Sequence, residues 1–188
     1  MQEMPKPVPP QPQVGPELLM RAQSVRVVFL DVDGVLTDGG LLFSEAGEAM
    51  KRFNTLDGHG IKLLQAAGIT PAVITGRDSG ALRTRLAALG VVHAVFGTED
   101  KLPAAEAILS ELSLDWSAAA AMGDDWPDLP LLTRAAFACV PRSGHAECLA
   151  RAHWVPDALP GHGAVRALCD VLLTASGHYR RLLDEALR

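Results

Sequence analysis

The stretch "VVFLDVDGVLTDGG", residues 27–40, decides how this chain is read. Its four leading apolar residues, Val27 to Leu30, have the length and composition of a buried strand. They run straight into two aspartates, Asp31 and Asp33, whose charges repel unless something neutralises them. Turn chemistry accounts for one aspartate and for Gly34, but hardly for a second carboxylate behind a buried strand. A calcium loop needs an oxygen ligand, a glycine and a glutamate where this sequence has Val35, Leu36 and Leu42, so that reading fails. A magnesium-assisted phosphoryl-transfer site fits. Mg²⁺ binds through a few carboxylates and keeps water and substrate phosphate as its other ligands. One aspartate can then attack phosphorus, while the other exchanges a proton with the leaving oxygen and later with water.

Outward from this stretch, short β-like runs alternate with helical ones. Strands are expected over residues 25–30, 70–75, 93–96, 118–123 and 136–140. Helices are expected over 60–68, 79–90, 101–112 and 163–176, with a further helical stretch in "DLPLLTRA". Such alternation means βαβ units: an α/β, Rossmann-like, mostly parallel sheet with helices on both faces. Residues 39–54 break the pattern with two β-capable runs around "SEAGE", the mark of a projecting β-hairpin.

In open α/β sheets, ligands bind beyond the carboxyl ends of the strands. Thr75 in "VITGR" falls at one such end and offers a hydroxyl to phosphate. Lys101 opens a helix, where the helix dipole disfavours a cation, so a tertiary reason for it is expected. Asp124 and Asp125 follow another apolar strand in "AMGDDWPD"; one suits a metal and one suits a helix cap. Lys62, Arg77 and Arg85 sit on segments leading from strand ends. Together they fit a ligand with a second anionic group, because arginine suits planar carboxylates.

The order D-x-D-G-V-x-T-D, strand-T-G-R, Lys, strand-G-D-D resembles the haloacid dehalogenase superfamily of phosphohydrolases. A receiver domain uses the same residue types in the reverse order, and a non-catalytic module leaves two carboxylates at one strand end unexplained. The resemblance implies Asp31 as nucleophile, Asp33 as general acid/base, and Thr75 and Lys101 on the phosphate. It implies Mg²⁺ on Asp31, the Asp33 main-chain carbonyl and Asp124. Too few residues separate Asp33 from Thr75, or Thr75 from Lys101, for a cap domain.

Within the superfamily, "DVDGVLTDG", "FNTLDGHGIK", "ITGR", "GDDWPDLPLL" and "GHGAVRALCDVLL" are similar to the 3-deoxy-D-manno-octulosonate (KDO) 8-phosphate phosphatases. That similarity implies a sugar-acid phosphate substrate, with Asn54, Thr55, Leu56, Asp57, Gly58, Lys62, Arg77 and Arg85 lining its site beside Asp33 and Lys101. It also implies a homotetramer built through the hairpin. The sequence departs from the family pattern at Leu56, His59 and His162, so a nine-carbon sialic- or deaminated-sialic-acid 9-phosphate stays open as substrate. The sequence alone assigns no role to His59, His162, Asp125 or Asp128. Trp126 and Trp154 read as packing residues.

The 188 residues suit one domain, and 48% hydrophobic with 21% charged residues is ordinary for a globular enzyme. A formal net charge of -5 argues against nucleic acid as a partner. Three spaced cysteines, no signal-like start and no membrane-length apolar run make a cytoplasmic protein the expectation. Proline-rich residues 1–17 read as a disordered arm, 18–178 as the phosphatase domain, and 179–188 as a C-terminal tail that either reaches a neighbouring site through Arg180 and Arg181 or forms a plain surface helix.

Overall fold

The computed structural model describes residues 14–188. In chain order its strands are β1 (Val27–Leu30), β2 (Leu42–Ser44), β3 (Gly47–Met50), β4 (Thr70–Ile74), β5 (His93–Val95), β6 (Ala119–Met122) and β7 (Phe137–Cys139). Its helices are α1 (Pro16–Ala22), α2 (Thr55–Ala66), α3 (Gly80–Leu89) and α4 (Lys101–Leu112), followed by α5 (Leu129–Leu132), α6 (Ala146–Leu149), α7 (Ala164–Ala175) and α8 (Tyr179–Ala186).

Five strands form one parallel sheet in the order β5-β4-β1-β6-β7, while β2 and β3 pair as a separate antiparallel hairpin. Because side chains alternate across a strand, β1 serves two cores. Val28 and Leu30 pack with Ile61 and Leu64 of α2, Leu82 of α3 and Leu168 and Leu172 of α7. Val27 and Phe29 pack with Ala105 and Ile108 of α4 and Leu131 of α5. All four β1 residues are buried, which explains the unbroken apolar run: a strand covered on both faces has no polar side.

Helix α2 begins earlier than the sequence reading has it, helices α1 and α6 are additional to it, and the C-terminal tail takes the surface-helix form of its two expected ones. Helix α2 starts at Thr55, not Gly60, because Asn54 caps it by accepting from the Leu56 and Asp57 amides at 2.7 and 3.4 Å. Helix α1 was unforeseen; Pro16 opens it in the N-terminal position that needs no amide hydrogen. Pro16 and Glu17 therefore belong to a helix, and the rest of the expected arm lies largely outside the described residues. Helix α6, only four residues long, carries too little periodicity to be read. The tail becomes α8, which buries Leu182 and pairs Arg180 with Asp184 and Arg181 with Glu185 along its own surface. Among the described residues no helix is long and apolar enough to cross a membrane.

Candidate active site

The register of the central sheet brings the expected site residues together. Leu30 of β1 stands opposite Val73 on one side and Met122 on the other. The residues just past these positions, Asp31, Thr75 and Asp124, thus leave neighbouring strand ends side by side. The Asp31 amide donates to the Met122 carbonyl at 3.0 Å, extending the ladder by one bond. Gly34 follows with φ 92°, a backbone that favours glycine, and a Cβ there would lie 2.1 Å from Asp124 Oδ2. The glycine of the D-x-D-G motif is what lets the second acidic loop close on the first.

Lys101 explains its place at a helix start. Its side chain is 3% exposed, and Nζ donates to Asp31 Oδ1 and Asp128 Oδ1, both at 2.6 Å. Asp128 is the residue that the sequence left without a role. Its second oxygen accepts from the Asp124 and Asp125 amides at 3.0 and 3.4 Å, so the carboxylate is fully engaged in shaping the acidic loop. Its four-residue spacing from Asp124 in "GDDWPD" was the only signal. Asp125 is the helix cap, accepting from the Trp126 amide at 2.8 Å.

Asp31, Asp124 and Asp128 offer oxygens within 4.8 Å of one another, a donor set of hard carboxylates that fits Mg²⁺. With Asp128 held by Lys101 and two amides, Asp31 and Asp124 are the pair available to a cation. Burial raises the Asp31 carboxyl to about 6, opposed by Lys101 and reinforced by Asp128. Burial, followed by the charges of Asp31, Asp128 and Asp125, raises Asp124 to about 7. Burial works against charge on Lys101, but Asp128 and Asp31 outweigh it and raise that group.

A carboxyl raised on folding binds its proton more tightly in the folded chain. Its contribution to stability is therefore complete below its unfolded value and is lost as pH rises through the folded one. Metal-free protein is expected to lose melting temperature as pH climbs from about 4 to about 7. Mg²⁺ competes with those protons, so its stabilising effect should be larger at about pH 7.5 than at about pH 5. Thermal melts with and without Mg²⁺ check this; an equal shift at both values would exclude these carboxylates as the binding site.

Around the acidic centre, Thr75 is buried, and its Oγ1 accepts from the Arg77 amide at 3.3 Å. Arg77 faces Asp33 Oδ2 at 3.7 Å and Glu48 Oε2 of the hairpin at 3.4 Å, and lies over the Phe43 ring. Lys51, beyond β3, reaches Asp33 Oδ1 at 2.5 Å and Glu48 Oε1 at 3.1 Å. Sequence reasoning missed Glu48 and Lys51, because charges on a projecting hairpin read as solvated.

The expected sugar-acid residues divide. Thr55 and Leu56 are exposed at the start of α2, and Lys62 is exposed farther along it. Arg85 reaches across from α3 to donate to the Asn54 carbonyl at 3.2 Å, in the space that a Cβ at Gly58 would fill. Asp57, by contrast, is 1% exposed, bordering one small cavity with Asn54, Gly58 and Arg85. Its carboxylate accepts from the Gly163 and Arg166 amides at 3.3 and 2.8 Å, anchoring the start of α7. His162, on that same loop, contacts Arg52, which pairs with Asp38. His59 lies in a groove of 90 Å³ with Leu63, Arg166 and Leu182, facing α8. Trp154 packs against the core as expected, but Trp126 is 61% exposed and meets His145 edge-on instead of packing.

An aspartate pair leaving the central strand, met by a lysine and a second acidic loop from later strands, is the arrangement of the haloacid dehalogenase class of phosphohydrolases. The chain is 38% identical over 173 residues to the KDO 8-phosphate phosphatase KdsC of Salmonella typhimurium strain LT2, covering 92% of this chain and 90% of that protein. It superposes on the Moraxella catarrhalis KDO 8-phosphate phosphatase, solved with magnesium, phosphate and KDO, with a TM-score of 0.87 and 32% identity, covering 90% and 97% of the two chains. A Legionella pneumophila structure assigned to subfamily III A of the superfamily matches with a TM-score of 0.87 and 36% identity, covering 91% and 94%. No protein-family model matches the chain. The chain belongs to the KDO 8-phosphate phosphatase family of the haloacid dehalogenase superfamily.

Proposed function

We propose that this protein hydrolyses KDO 8-phosphate to the free sugar acid and phosphate, a step of lipopolysaccharide precursor synthesis. The observation that carries this reading is the convergence of Asp31, Asp33, Thr75, Lys101 and Asp124 on one end of the sheet, in a chain whose relatives bear that name. Asp31 attacks phosphorus as the bond to the sugar oxygen breaks, and Asp33 gives that oxygen its proton. Water then attacks the phosphoryl group, its proton passes to Asp33, and the Asp31 carboxylate is restored. Lys101 and Thr75 hold the phosphoryl oxygens. Asp31, the Asp33 main-chain carbonyl and Asp124 would hold Mg²⁺, which would supply positive charge against the phosphate. Arg77, Arg85, Lys62 and the start of α2 from Asn54 to Gly58, less the Asp57 carboxylate, form the sugar-acid side. A cytoplasmic setting fits the three cysteines, all free and buried. The test is phosphate release over a panel of sugar-acid phosphates with Mg²⁺. KDO 8-phosphate is expected to give the highest kcat/KM; a higher value for a nine-carbon 9-phosphate would move the substrate to that class.

The active form we propose is a homotetramer whose protomers complete one another's open sites. Leu41, Leu42, Phe43 and Met50 are 44 to 63% exposed on and beside the hairpin, a patch one chain leaves in water. Pairing hairpins around a symmetry axis would cover it. Size-exclusion chromatography with light scattering is expected to give four times the monomer mass. A fully active monomer at nanomolar concentration would overturn the assembly.

A further inference from the structure

The hairpin is folded inside out. Its apolar Phe43 and Met50 are 63 and 62% exposed, whereas the side chains of its charged Lys51 and Glu48 are 2 and 13% exposed. The backbone of Lys51 lies nearer the surface, so burial is confined to its side chain. Pairing of hairpins accounts for the outward apolar groups but not for the inward charges, since removing charge from water is costly. What the charges do is close a ring. Lys51 Nζ sits 2.5 Å from Asp33 Oδ1 and 3.1 Å from Glu48 Oε1. Arg77 completes the circuit, 3.4 Å from Glu48 Oε2 and 3.7 Å from Asp33 Oδ2.

The two oxygens of Asp33 are treated differently by this ring. Oδ1 accepts from Lys51 and, at 3.4 Å, from the Thr37 hydroxyl. Oδ2 is covered by Arg77, whose Nε lies 3.7 Å away, and makes no hydrogen bond among the described residues; the other buried oxygen left so is Glu48 Oε1, on the same ring. Buried polar atoms are rarely left so, and the exceptions call for a functional reason. We infer that Lys51, tethered by Glu48, is the positioning residue that pins one oxygen of the acid/base carboxylate and leaves Oδ2 as the oxygen that exchanges the proton. The inference rests on the role given to Asp33 above. In the first step the proton moves from Asp33 Oδ2 to the sugar oxygen as its bond to phosphorus breaks. In the second it moves from the attacking water to the same Oδ2 as the bond from phosphorus to Asp31 breaks.

Without Lys51 the carboxylate can rotate, and the loss falls where proton donation matters most. A phenolate with strongly withdrawing substituents leaves without a proton, whereas an alkoxide does not. The experiment measures kcat/KM over a series of simple aryl and alkyl phosphates that carry no sugar acid, so direct recognition plays no part. For Lys51→Met the loss on alkyl phosphates is expected to exceed that on p-nitrophenyl phosphate on the order of a hundredfold, steepening the leaving-group dependence as Asp33→Asn does. Lys51→Arg should recover part of the slope. Glu48→Gln should show a smaller change in the same direction, and it decides the matter if Lys51→Met does not fold. A uniform loss along the series for the Lys51 and Glu48 variants, with Asp33→Asn still steep, would overturn the positioning role and leave the proposed function standing. An unchanged slope in Asp33→Asn would overturn the Asp33 assignment itself, and this inference with it.

Discussion

Asp31→Asn is expected to fold as the wild type does and to hydrolyse KDO 8-phosphate at less than about one ten-thousandth of its rate. The amide is a far poorer nucleophile than the carboxylate. Asp128, beside it, already gives its oxygens to Lys101 and to two loop amides. The fold should survive because Lys101 keeps Asp128 as its partner and the four residues of β1 behind Asp31 remain buried. Asp33→Asn should behave differently, still accepting the phosphoryl group while hydrolysing the phosphoenzyme slowly. Steady-state assays with a melting curve for each variant check both statements. Turnover near the wild-type level in Asp31→Asn would remove it as the nucleophile.

Lys101→Met carries the second large effect, and it strikes stability and activity together. Lys101 is sealed between Asp31 and Asp128, whose side chains are 11 and 6% exposed. Removing one member of a buried ion cluster leaves uncompensated charge and costs about 3 kcal/mol or more. Loss of a charge-bearing contact to the phosphoryl oxygens should also lower kcat about a hundredfold to a thousandfold. Mg²⁺ should return part of the lost stability by neutralising Asp31, but not the activity, because it does not replace the hydrogen bonds proposed from the lysine to the phosphoryl oxygens. A variant as stable and as active as the wild type would mean that Lys101 is a bystander.

Most of what positions this site could be read from the sequence, since local chemistry dictates it. Four apolar residues ending in D-x-D-G define both β1 and the acidic pair, and Lys101 at a helix start betrays a tertiary partner. That one of Asp124 and Asp125 caps a helix follows from the same logic; which one does so is given by the structure, where Asp125 accepts from the Trp126 amide. What escaped notice depends on contacts distant in sequence. Asp57 sits in a motif that looks like a site wall, yet its partners are the amides of Gly163 and Arg166, more than a hundred residues away. Lys51 and Glu48 lie on a hairpin whose composition predicts solvated charge. Only the fold of that hairpin over Asp33 turns them inward. The early start of α2 is hidden in the sequence because Gly58 and Gly60 lower helix propensity, whereas packing against Arg85 and α7 requires small residues there.

The central claim, that Asp31 carries the phosphoryl group, is tested most directly by trapping it. Protein turning over KDO 8-phosphate with Mg²⁺ is quenched and treated with borohydride, which reduces an acyl phosphate to the alcohol, and the peptide holding residue 31 is sequenced by mass spectrometry. The expected result is homoserine in place of Asp31, absent when EDTA is added first and absent in Asp31→Asn. Homoserine at another aspartate, or none at any position during full turnover, would contradict the account.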